Sequence, residues 1–210
     1  MVYGFSLPRA DGSNGHSAVS WAALTSSDLT AGREAPTLTA YSAHRLKDAR
    51  PRTDPADIRT AADRALAPFA IENGGENPYT IQKDLQETMQ RLVGIIRKRE
   101  ELQESLVEID KLKQRAKKLA VEGHRQYNPG WHLAIDLTNQ LIVSECIAKA
   151  ALEREESRGG HTRDDFPGPD DGWGQVNLVL TLTGGDFSAP VHLEHQPLPV
   201  MPDELKELFD

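Results

Sequence analysis

Cysteine is nearly absent: Cys146 is the single one in 210 residues. No internal disulfide can staple the chain, and a lone thiol inside a helical pattern reads as a buried one in a reducing cytoplasm. No run approaches the roughly 20 apolar residues of a membrane span, and the N-terminus lacks the basic-then-apolar order of a signal peptide. Both absences predict a soluble chain, which leaves docking on a membrane complex open. Cations are also in deficit, 24 Lys and Arg against 32 Asp and Glu for a formal charge of −8, and this argues against nucleic-acid binding, which needs a basic surplus to displace counterions. Hydrophobic residues reach 38% and charged ones 27%, enough for one domain with a core but with part of the chain left unpacked. No segment repeats at a fixed period.

Four stretches carry a helical period. Thr53-Asp54-Pro55 pairs a capping residue with proline at the first helical position and opens a helix with Ile58, Ala62, Leu66 and Phe69, stopping around Pro68. Residues 72–78 are turn chemistry, and Asn77-Pro78 starts a second helix whose stripe runs Ile81, Leu85, Met89, Leu92 and Ile96 toward the cluster at 97–99. Leu102, Leu106, Ile109, Leu112, Ala116 and Leu119 repeat the pattern, with Gly123 as the expected stop, so these two helices suit an antiparallel pair. From about Trp131 to Glu156 a longer helix is apolar on two faces, Leu133, Leu137 and Leu141 on one, Ile135, Ile142 and Cys146 on the other, as the central helix of a bundle would be. Beyond it Val176, Leu178, Leu180 and Leu182 alternate with polar residues, a turn follows at 183–186, and Val191 to Glu194 completes a β-hairpin. A short helix at Pro202 to Phe209 closes the reading. The fold class is therefore mainly α: a three-helix bundle followed by a loop and a C-terminal β-hairpin, with 1–50 of low order, 51–160 helical, and 161–210 loop, hairpin and terminal helix.

Few residues point to chemistry. His192 and His195 lie three apart on a strand and so face opposite ways, poor geometry for one metal. The cations at 111, 113, 115, 117 and 118 read as a solvated helix face. Glu145, inside the doubly apolar helix, reads as a buried acid bonded to an arginine or a helix end, and Trp131 and Trp173 as packing. No Ser-His-Asp or Cys-His constellation can be argued, so no catalytic, cofactor-binding or metal-binding residue is assigned.

The most specific segment is Glu156-Ser157-Arg158-Gly159-Gly160-His161-Thr162-Arg163-Asp164-Asp165-Phe166-Pro167, after a helix containing Asn139, Ser144-Glu145-Cys146 and Ala151-Leu152-Glu153-Arg154. It resembles the C-terminal region of the succinate dehydrogenase and fumarate reductase flavoproteins, where a long helix ends in Ser-Arg-Gly-x-His-x-Arg-x-Asp-Phe-Pro. Asn77-Pro78-Tyr79-Thr80, Val93-Gly94-Ile95-Ile96-Arg97 and the run from Glu122 to Trp131 are similar to the actinobacterial branch, so the resemblance covers about Pro51 to Asp210. It implies a parent that interconverts succinate and fumarate by hydride transfer at FAD and pairs with an iron-sulfur subunit. It also implies that the residues here lack the FAD-binding and capping domains: no GxGxxG follows an apolar strand, and where the family carries an Arg-Leu-Gly-Gly-Asn-Ser turn this sequence has Ser20-Trp21-Ala22-Ala23-Leu24-Thr25. Residues 1–50 are then a degenerate segment and the remainder a non-catalytic domain without its own cofactor, cytoplasmic or held at the inner face of the membrane by partner subunits. An independent helical interaction module, prone to self-association through the faces a flavin domain would cover, is the alternative; an L-aspartate oxidase type is a weaker one, disfavoured by residues 163–167.

For the signature residues Arg158, Gly159, His161, Arg163 and Asp165 a tie within the chain and a partner interface compete, ahead of direct chemistry, for which they are not nominated. The glycines permit backbone conformations closed to other residues, and the arginine forks bind carboxylates; those carboxylates lie either within the chain or on a partner surface.

Overall fold

The computed structural model describes residues 5–6, 54–71, 74–184 and 189–199. The expected low order of 1–50, apart from residues 5–6, residues 185–186 of the turn and the terminal helix at 202–209 lie outside these. Helix α1, Pro55–Leu66, begins where Asp54 Oδ1 accepts the Ala56 N–H at 2.8 Å, and a short 3-10 turn, Ala67–Phe69, ends it. Helix α2, Pro78–Leu92, starts the same way, with Asn77 Oδ1 accepting from Tyr79 N–H at 2.9 Å. α3 is Arg99–Ala116 and α4 is Pro129–Glu153, the latter capped by Asn128. Each of these three starts places proline, which has no N–H, where a helix would leave that donor unmet, while the capping oxygen accepts from another first-turn N–H.

α2, α3 and α4 pack around Ile81, Leu85, Leu92, Leu102, Ile109, Leu112, Leu137 and Leu141, all nearly or fully buried. α4 does serve two cores. Ala134, Leu137, Leu141 and Ala148 face the bundle, and Cys146 and Ala150 face Leu178, Leu180 and Val191 of the hairpin. The second face departs from expectation at Ile135, which is 38% exposed. The hairpin strands, Val176–Leu182 and Val191–Pro197, run antiparallel with Leu180 opposite Leu193, and the two-residue strand Phe5–Ser6 lies parallel to the first of them. Burying Cys146 pushes its thiol up to about 11, helped by the neighbouring Glu145 charge, which makes it a poor nucleophile.

Two helix ends differ from the periodicity. The apolar stripe predicts α2 through Ile96, yet the helix stops at Leu92, Val93 takes the buried place and Ile96 is 63% exposed. The reason is tertiary. Arg97 folds back and donates Nε to the carbonyls of Val93 and Gly94 (3.3 and 2.9 Å), closing the helix end, while Ile96–Arg97 becomes a strand parallel to Thr162–Arg163. α3 likewise ends at Ala116 rather than near Gly123, because Glu76 pairs with the chain at 118–120: its N–H donates to Lys118 O and its carbonyl accepts from Ala120 N–H. That pairing requires Gly75, since a Cβ there would lie 2.1 Å from the Ala120 methyl.

Candidate functional site

The loop from Arg154 to Asp170 leaves α4 and returns over its C-terminal end. The helix ends because Arg154 turns extended (φ −75°, ψ 100°), and the last carbonyls of α4 would be orphaned without partners. Arg163 supplies them. Fully buried, it donates Nη1 to the carbonyls of Ala151, Leu152 and Arg154 at 2.7, 3.1 and 3.2 Å. The remaining fork closes on its own loop, Nε to Asp165 Oδ1 at 2.8 Å and Nη2 to Asp165 Oδ2 at 2.7 Å, and these bonds hold the Asp165 carboxyl down at about 2. Positive charge at a helix C-terminus also suits the macrodipole.

His161 has a forced tautomer. Its Nδ1 lies 2.8 Å from Arg97 Nη1, which can only donate, and its Nε2 lies 3.0 Å from the Arg154 carbonyl, which can only accept. The ring is therefore neutral with the proton on Nε2. Burial, followed by the guanidinium charges of Arg97, Arg163 and Arg154, holds it below the ordinary histidine range, against the pull of the Arg154 carbonyl. The sign follows from that depression. The unfolded chain takes up the proton first, so the stability contributed by neutral His161 is complete above about pH 6.5 and is lost as pH falls below it. Urea unfolding at about pH 7 and about pH 5 is expected to show a drop that His161→Gln, which can offer one acceptor and one donor, largely removes; equal drops in both proteins would refute the assignment.

Arg158 and Gly159 complete the turn. The Arg158 N–H and carbonyl bond those of His161 at 2.9 and 3.0 Å, and Gly159 adopts φ +59°, where a side chain would be strained. Arg158 Nε donates to Glu156, as does Arg154 Nη1. Glu156 is fully buried; burial pushes its carboxyl up, but the Asp170 N–H and the two arginines outweigh that and leave it below the ordinary range. The five signature residues thus meet in one loop, and both arginine forks bind carboxylates of that loop. Arg97 on the α2–α3 connection and Arg154 and Glu156 at the helix end belong to the same network. Arg97 was legible as part of a basic cluster and of a family-like stretch, but its bond to His161, 64 positions away, was not.

A second polar cluster escapes the sequence reading. Lys113, assigned to a solvated face, is 5% exposed and bonds Glu145, which also takes Lys149 Nζ at 2.7 Å; Lys149 reaches the Val191 carbonyl at 3.0 Å. Glu145 is thus held by two lysines rather than by an arginine or a helix end, and the three pin α3, α4 and the hairpin together. Arg115, from the same expected solvated face, instead forks onto Glu76 and reaches Asp84. The signal was position: Lys113 follows Ile109 by four residues, on the core side of α3. Trp131 donates Nε1 to Ala65 O at 2.7 Å and packs edge-on against Phe69, and His195 pairs with Glu153 beside Trp173. Among the described residues no group of three metal-ligating side chains converges.

The fold is thus a mainly helical domain, a bundle whose long last helix is closed by an arginine-stapled loop and backed by a hairpin. The chain belongs to the succinate dehydrogenase and fumarate reductase flavoprotein family, its residues 82–205 matching the family model described as the fumarate reductase flavoprotein C-term. The fumarate reductase flavoprotein subunit of Helicobacter pylori is 32% identical over 143 residues, covering 67% of this chain and 20% of the relative, and that of Mycobacterium tuberculosis is 32% identical over 128 residues, 60% of this chain and 21% of the relative. The solved Mycobacterium smegmatis Sdh1 superposes with a TM-score of 0.73 at 48% identity, over 77% of this chain and 27% of that one. The chain spans about a fifth of the length of these curated relatives.

FAD is the group that membership implies, and the described residues do not fit it by themselves. A dinucleotide cradle needs a glycine-rich turn between a parallel strand and a helix N-terminus. Here the glycines at 159 and 160 follow a helix and precede a two-residue strand, so no step is derived through the flavin. No helix among the described residues is long and apolar enough to cross a membrane.

Proposed function

We propose that residues 54–199 act as the structural, non-catalytic C-terminal domain of a flavoprotein whose reaction is succinate-fumarate oxidoreduction at FAD, with flavin and substrate groups lying outside this stretch. The observation that carries the reading is the use of the signature side chains. The Arg163 and Arg158 forks, His161 and Asp165 engage the ends of their own helix and loop, which is what a scaffold requires and leaves none of them poised over a reacting atom. The shape so fixed presents the 159–160 turn outward, where the flavin domain and an iron-sulfur subunit would dock, and peripheral attachment at the membrane follows from such partners. A reading as an independent interaction module is favoured by one feature, the exposed Ile95 and Ile96 (82% and 63%) beside the loop. The visible spectrum of the purified chain, with succinate and an artificial electron acceptor added, is the deciding experiment. A colourless, inactive protein is expected. Flavin bands with turnover would overturn the scaffold reading, and a colourless but stable, saturable oligomer by light scattering would favour the module.

A further inference from the structure

The hairpin sheet keeps one long edge open. Phe5–Ser6 lies on one side of Val176–Leu182 and Val191–Pro197 on the other, so the far side of Val191–Pro197 is uncovered among the described residues. The bonds at the two ends of the ladder fix which groups point that way. Thr183 N–H donates to Pro190 O at 3.2 Å and Leu198 N–H to Gln175 O at 2.9 Å. Bonded pairs alternate along antiparallel strands, so His192, Glu194 and Gln196 bond inward, and Val191, Leu193 and His195 aim their backbone groups outward. Lys149 Nζ takes the Val191 carbonyl. The Val191 N–H, both Leu193 groups and both His195 groups are left as a strand template, which ends at Pro197, where no N–H exists. The side chains choose what can pair with it. His192 and Glu194 are exposed on the solvent face of the sheet, opposite Thr181 and Val179, and neither makes an ion pair among the described residues. A second copy approaching antiparallel about a twofold axis can be centred on His192, Leu193 or Glu194. The first register sets His192 against itself, and the last sets two carboxylates face to face, which is unfavourable. Only the register centred on Leu193 places His192 opposite Glu194 of the second copy, on both sides of the axis, in the non-hydrogen-bonded pairs where side chains stand closest. Charged or neutral, His192 keeps an N–H to donate to that carboxylate.

We infer that the outer edge of Val191–Pro197 is a docking surface for a second copy of this chain, joined strand to strand about Leu193 and held in register by the His192 and Glu194 pairs. The contact is isologous, so it closes as a dimer and does not propagate. It goes beyond the scaffold reading and does not depend on it, and its surface is separate from Ile95 and Ile96. Sedimentation equilibrium of the full chain over a range of concentrations tests it. A reversible monomer-dimer equilibrium is expected. His192→Glu turns both cross-strand pairs into like charges and should weaken the dimer about tenfold; adding Glu194→His restores opposite charges with the positions exchanged and should recover most of the loss. Both side chains are exposed, so unchanged far-UV circular dichroism is expected for each variant. Ile95→Ser combined with Ile96→Ser should leave the dimer intact. A chain that stays monomeric, an open-ended series of oligomers, a dimer indifferent to His192→Glu, or a loss that the exchange fails to recover would each overturn the inference. Association abolished by the two isoleucine substitutions would overturn it as well, and would favour the interaction module instead.

Discussion

Arg163→Ala is expected to destabilise the protein by about 3–5 kcal/mol, the range for removing one partner from a buried ionic network. Truncation does more than delete a salt bridge. It strips the carbonyls of Ala151, Leu152 and Arg154 of their shared donor at the buried end of α4, leaves Asp165 without its fork and opens a void the size of a long side chain that is fully buried. Water can reach Asp165, whose side chain is 27% exposed, but not the carbonyls as readily, so Asp165→Ala should cost clearly less than Arg163→Ala. Domains are typically stable by only about 5–15 kcal/mol, so the first variant should lie close to unfolding at body temperature. Urea denaturation with matched m-values gives the numbers. A loss below about 1 kcal/mol for Arg163→Ala would mean that the loop is held by other contacts and that the staple is incidental.

Glu145→Ala should be nearly as damaging, again by about 3–5 kcal/mol, for a different reason. Lys113, its side chain only 6% exposed, would keep a buried charge with its carboxylate gone, and Lys149 would lose its i,i+4 partner on α4 while still bonding the hairpin at Val191. The penalty comes from the abandoned cation, so removing that cation too should relieve it. The double variant Lys113→Met with Glu145→Leu is expected to recover most of the loss, since buried ion pairs replaced by apolar groups of similar volume are often neutral. Additive losses in this cycle would show instead that Lys113 reaches water in the variant and that the two side chains are not coupled.

These two clusters mark where the sequence could not be read alone. The starts at Pro55 and Pro78 were legible because their causes are local: Asp54 and Asn77 each cap a helix within the next few residues, and proline follows each. The two faces of α4 were legible for the same reason, since Leu137, Leu141 and Cys146 repeat at the helical period within one segment. The signature loop could be singled out by its composition and its resemblance, but not its wiring. Nothing in Arg158 or Arg163 states whether a fork turns inward or toward another surface; the answer rests on Asp165 and Glu156 lying two residues away in a loop that doubles back.

What the sequence determined by itself was every feature written at short range: the helix beginnings, the apolar stripes, the alternation that makes Val176–Leu182 a strand, and the presence of one signature segment. The tertiary structure alone decided that Ile96 leaves the stripe of α2 for a strand beside Thr162, that Lys113 is buried against Glu145, and that Arg97 and His161 share a bond. Each of these joins residues more than thirty positions apart. Such contacts form only after the intervening chain has closed, and the entropy of that closure is offset by buried charge and packing that no local window contains.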